Sequence, residues 1–97
     1  MNTWERTIDM PGKKPIVDSG KLDPVFAILG DEKSSVKMEV GFNLPFGAAK
    51  VTCTVHLTCG QREPLIEKAA ELAFERALKF SLHGLDLASG HAVRSDT

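Results

Sequence analysis

Hydrophobic and polar positions alternate strictly along one stretch of the chain. Val36, Met38, Val40, Phe42 and Leu44 alternate with Lys37, Glu39, Gly41 and Asn43. Period two is the signature of a strand with one buried face. The segment PFGA (45–48) interrupts it, because Pro45 has no N–H to donate and Gly47 suits a turn. Alternation then resumes, with Val51, Cys53, Val55, Leu57 and Cys59 against Lys50, Thr52, Thr54, His56 and Thr58. Strands over 36–44 and 50–59 are predicted to pair as an antiparallel hairpin. The short apolar run Val25–Leu29, set between Pro24 and Gly30, reads as a buried strand that could join them.

Beyond GQREP the period changes. Pro64 suits the first turn of a helix, and Glu63 and Glu67 suit its positive end. At 100° per residue, Ile66, Ala69, Ala70, Ala73, Phe74, Ala77 and Phe80 share one face, while Glu67, Lys68, Glu71, Glu75 and Lys79 cluster opposite. A helix is therefore predicted over 64–82, stopped by Gly84. Residues 1–24 carry Pro11, Gly12, Pro15, Gly20 and Pro24, a density of breakers that reads as an extended or irregular arm with Trp4, Ile8, Ile16 and Val17 as anchors. The expected class is α+β: a two- or three-stranded antiparallel sheet packed by one long helix. An N-terminal arm (1–24), an α+β domain (25–84) and a C-terminal tail (85–97) complete the expected organisation.

A chain of 97 residues that is 42% hydrophobic suits one small domain with a packed core. A domain of this size buries only about 60–65% of its unfolded surface, which favours sharing stability with a partner. The apolar arc of the helix is wide: Leu65 and Leu72 extend one flank and Leu78 lies beyond the other. A small sheet covers only part of such an arc, so a homodimer is expected through the helix or the outer sheet face. Trp4, Leu65, Leu72 and Arg76 are the candidate interface residues.

Charge narrows the partners. With 12 basic and 13 acidic residues the net charge is −1, which argues against nucleic acid or a membrane surface as partner. The longest apolar run is too short to span a bilayer, and the first residues show no apolar stretch of a secretory signal. The expected setting is cytoplasmic, with both thiols reduced.

The chemistry-bearing residues point to scaffold. Cys53 and Cys59 lie on one face, about 20 Å apart at six strand residues, beyond disulfide reach. His56 lies between them but faces the other side, so no tetrahedral metal set converges. An inward thiol in an apolar row has a raised pKa and no base beside it, which excludes a nucleophile. GFNLPFG lacks the spacing of a phosphate loop. No cofactor, metal or catalytic residue is expected. The polar outer face, with Lys37, Lys50, Thr52, Thr54, His56 and Thr58, is the candidate recognition surface. It offers no aromatic for base stacking, so single-stranded nucleic acid would bind it only weakly.

The stretch VTCTVHLTCGQREPLIEKAAELAFERALKF (51–80) resembles a group of small, uncharacterised proteins of tailed phages and prophages. The shared features are a Val/Thr strand ending in Cys, a Gln-containing turn and an Ala-rich amphipathic helix. The positions that carry them are Val51, Thr52, Val55, Leu57, Cys59, Gln61, Ala69, Ala70, Leu72 and Ala73. The resemblance implies an accessory protein in the host cytoplasm and carries over no catalytic residue. The expected function is a non-enzymatic protein-binding module that modulates or inhibits a host protein or nucleoprotein complex. Alternatives are a minor structural or assembly component of a virion, and weak single-stranded nucleic-acid binding through the outer sheet face.

Overall fold

The computed structural model describes residues 2–22, 33–47 and 49–95, leaving aside the side chains of 46 and 89–95. The elements are strands β1 (Thr3–Asp9), β2 (Ile16–Lys21), β3 (Ser34–Asn43) and β4 (Lys50–Cys59), then helix α1 (Glu63–Ser95). All strand pairs are antiparallel, in the order β2-β1-β4-β3, with α1 across one face. The fold is α+β, with four strands rather than two or three. The apolar run 25–29 lies outside the described residues.

The β3–β4 hairpin forms as the alternation dictates. Its register runs from Ser34↔Cys59 to Asn43↔Lys50, and Leu44 N–H closes the last rung on Ala49 O at 2.8 Å. Every second residue of β4, from Val51 to Cys59, is wholly buried. Each of the larger side chains in this row, Val51, Val55 and Leu57, stabilises the fold by about 1.5–3 kcal/mol through burial.

The N-terminal segment departs from expectation. It is not an irregular arm: Pro11, Gly12 and Pro15 fall between two strands, and Gly20 lies within the second. Met10-Pro11-Gly12-Lys13 closes with Lys13 N–H on Met10 O at 3.1 Å, and Gly12 takes φ +75°. Pro at the second position and a positive-φ Gly at the third make a type II turn. β1 then inserts between β2 and β4, from Thr3↔His56 to Asp9↔Lys50. Gly20, opposite Trp4, leaves room for the indole: a Cβ there would lie 2.8 Å from Trp4 Nε1.

Helix α1 also differs, running to Ser95 instead of stopping near 82. Its buried stripe is Ala69, Ala73, Ala77, Ser81, Gly84 and Ala88, all small. Gly84 is therefore an interior contact point and not a cap. A Cβ on it would meet Val51 Cγ1 at 2.7 Å and Arg6 Cδ at 3.0 Å. Small residues let the helix settle directly on the strands, where Ser81 Oγ donates to Val40 O at 3.2 Å. The expected tail past Leu85 continues this helix, with Leu85 packed near Leu44 and Ala88 buried. At about 1.5 Å per residue the helix is about 50 Å long, against about 33 Å for β3 or β4.

Candidate binding surface on the outer sheet face

Strand register assembles the outer face row by row. Thr3 stands opposite Lys21 on one side and His56 on the other, and His56 stands opposite Lys37. The first row is thus Lys21, Thr3, His56, Lys37, one residue from each strand. The next is Ser19, Glu5, Thr54, Glu39, and the third is Val17, Thr7, Thr52, Gly41. Neighbours within a row sit about 5 Å apart at Cβ. The first row and, from the second, Ser19, Glu5 and Thr54 line a shallow concavity of ≈ 520 Å³, together with Trp4 and Gly20.

Three of the six residues singled out from sequence meet in this concavity: Lys37, Thr54 and His56. The other three do not. Thr58 is tied to the N-terminus, its N–H donating to Asn2 Oδ1 at 3.0 Å and its hydroxyl to the same atom at 3.1 Å. Thr52 packs its methyl toward Gly41, where an added Cβ would come within 3.2 Å. Lys50 stands between Asp9 and Asn43 and borders a separate shallow hollow of ≈ 330 Å³. Thr3, Glu5, Ser19 and Lys21 complete the main concavity, and the sequence reading missed them because it left residues 1–24 out of the sheet.

The inner face of β1 carries the fold's one buried cation among the described residues. Arg6 is 6% exposed. Its Nη2 donates to Asp18 Oδ2 at 2.7 Å, its Nη1 donates to Phe80 O at 3.2 Å, and its guanidinium carbon lies 5.3 Å from the Trp4 ring centre. Arg6 Nε is buried without a hydrogen-bond partner among the described residues. Trp4 stacks on Phe80 with ring centres 4.5 Å apart and planes 15° apart. The indole named among the interface residues thus packs on the core, and Leu72 is half-buried against the same core cluster. Leu65 and Arg76 are also half-buried on that flank of the helix.

Both cysteines are free and fully buried. Burial pushes the Cys53 thiol up to about 11, an effect partly offset by the Arg6 charge opposite it on β1. A thiol so disposed is neither ionised nor accessible near neutral pH, in keeping with a packing role. Among the described residues no group of three or more metal-ligating side chains converges, and no helix is long and apolar enough to cross a membrane.

Compared with known proteins, the chain matches no protein-family model, no curated protein and no solved structure at significance. Function therefore has to be read from the surface itself. That surface offers ammonium, imidazole, carboxylate and hydroxyl groups in adjacent rows. Such a mosaic complements a folded protein of mixed charge better than a polyanion, which calls for an uninterrupted basic patch.

Proposed function

We propose that the chain is a non-enzymatic protein-binding module whose outer sheet face receives a partner protein. The observation that carries this reading is the concavity spanning all four strands, with Lys21 and Lys37 at its two sides and Glu5 and Glu39 in the row beside them. Opposed rows of charge confer selectivity on a partner of complementary pattern and add little non-specific affinity. The resemblance of residues 51–80 to small phage proteins supports an accessory role toward a host protein or nucleoprotein complex, in the host cytoplasm. The outer row positions of the four strands hold no aromatic side chain, which counts against a base-stacking platform.

Tagged wild type and a Lys21→Glu/Lys37→Glu variant, each used as bait in the native host, test the reading. A protein identified by mass spectrometry that wild type retains and an equally stable variant loses supports it. Identical captures with both baits overturn it. A salt-dependent mobility shift of labelled oligonucleotides, abolished by the same substitutions, would move the reading to single-stranded nucleic acid.

A further inference from the structure

Strand β3 is an edge of the sheet, and no described strand lies beyond it. The Leu44–Ala49 rung fixes which of its backbone groups face outward. Residues 34, 36, 38, 40 and 42 continue that hydrogen-bonded set toward β4, so the N–H and C=O groups of Ser35, Lys37, Glu39, Gly41 and Asn43 point away from β4, where no described strand lies. The strand is ten residues long, without proline and with regular register throughout. These are features of an edge ready to accept another strand.

We infer that the occupant of this edge is the β3 strand of a second copy, related by a two-fold axis through Met38. Odd residues must pair with odd residues for their outward groups to bond. Three registers near the strand centre meet that condition. Centring on residue 37 sets Lys37 against its own copy, and centring on 39 sets Glu39 against its own copy. Centring on Met38 sets Lys37 against Glu39 of the second copy, twice, on the polar face. On the inner face the same register places Val36 against Val40 and Met38 against Met38, which carries the half-buried apolar row across the junction.

The helix obeys the same axis. Phe80 leans toward β1, so the opposite flank of α1, with Phe74, Leu78 and Leu82, overhangs the β3 side. Phe74 is 48% and Leu82 47% exposed. Ser81 sits over Val40. Two strand residues back, at Met38, is about 6.6 Å, and the same distance along the helix is about four residues. The axis therefore passes near Ala77, about 1.5 Å along the helix from Leu78, and brings Leu78 near its copy and Phe74 near Leu82 of the second chain. Because α1 lies about equally over β3 and β4, strand spacing sets the two helix axes about 10 Å apart, close to the usual 8–10 Å packing distance. Charge pairing on one face and helix packing on the other select one and the same two-fold axis.

Light scattering coupled to size exclusion, run over a wide range of concentration, tests the assembly. Wild type is expected at twice 10.5 kDa. Lys37→Glu and Glu39→Lys should each weaken the dimer about tenfold or more, since each replaces two attractions by two repulsions. The double variant Lys37→Glu/Glu39→Lys should restore it. Leu78→Glu should give a folded monomer by circular dichroism. A wild-type mass of 10.5 kDa at every concentration overturns the proposal. So does a dimer indifferent to the single reversals, or one that the double reversal fails to restore.

Discussion

The two hairpins of this sheet are built on different principles. In β3–β4 the inward positions are almost all apolar, and burial alone holds the register. In β1–β2 the inward positions are Trp4, Arg6 and Ile8 facing Gly20, Asp18 and Ile16. An indole lies on a glycine, an ion pair spans the strands, and only the last pair is aliphatic. The first hairpin is specified by the hydrophobic effect, which is strong and forgiving of shape. The second is specified by particular fits, each of which fails if its partner changes. Their difference shows that a strand next to the centre of a sheet can carry a charge inward, provided a neighbour answers it and the helix above is thin enough to admit it.

The comparison breaks most visibly in the aliphatic hairpin. Leu57→Ala should cost about 2–5 kcal/mol in urea unfolding, through lost burial and the cavity left behind. A loss below 1 kcal/mol would mean that β4 is not the core strand. Cys53 gives the next largest effect, visible only at high pH. Below about pH 9 the thiol is neutral in both folded and unfolded chains, and its contribution is intact. Between 9.0 and about 11 the unfolded chain loses the proton while the native state keeps it, so stability falls as pH rises. The loss attributable to this group approaches about 2–3 kcal/mol. Stability measured against pH should fall less steeply over that range in Cys53→Ala, and an unchanged slope would remove Cys53 as its source.

The polar hairpin is sharpened by its ion pair. Asp18→Asn should cost about 1–2 kcal/mol, moderated because the Asp18 side chain is 41% exposed. Replacing both partners, Arg6→Met with Asp18→Leu, should cost less than the single change, because no unanswered charge stays buried. The reverse ranking in denaturant midpoints would show that the pair itself, and not the uncompensated Arg6, dominates. Gly84→Ala tests where the hairpins meet, since its Cβ would press on Val51 of one and Arg6 of the other. Helix propensity alone favours Ala by about 1 kcal/mol. The close contact should outweigh that gain and lower stability by about 1 kcal/mol net. A higher Tm would show that Val51 yields freely.

The same contrast explains what was legible in the sequence. Val36 to Cys59 announced itself because period two survives wherever every inward residue is apolar. The WERTID segment has the same period, but Arg6 occupies an inward place and hides it. The proline and glycine residues of 1–24 read as breakers of that whole stretch, although Pro11 and Gly12 serve one turn and Gly20 accommodates Trp4. The signal that would have found β1–β2 was the Pro-Gly pair between two short runs that each mix one polar residue into an apolar row. Gly84 misled for a related reason. A glycine after a helical run is commonly a C-cap, yet here the period of small residues continues past it to Ala88. Most of the concavity escaped detection with β1 and β2, since Thr3, Glu5, Ser19 and Lys21 reach it only through strand pairing.

The strand order also determines when the parts can assemble. Partners within β1–β2 and within β3–β4 are near neighbours in the chain, whereas β1 and β4 join residues from 41 positions apart (Asp9 to Lys50) to 53 (Thr3 to His56). Loop closure on that scale slows folding relative to hairpin formation. During synthesis β1 and β2 emerge first, and one side of β1 stays unpaired until β4 follows. The seam between the hairpins is thus the last part of the sheet to close. Arg6, pairing with Asp18 across the early hairpin, holds the register of β1 before the strand that will flank it exists.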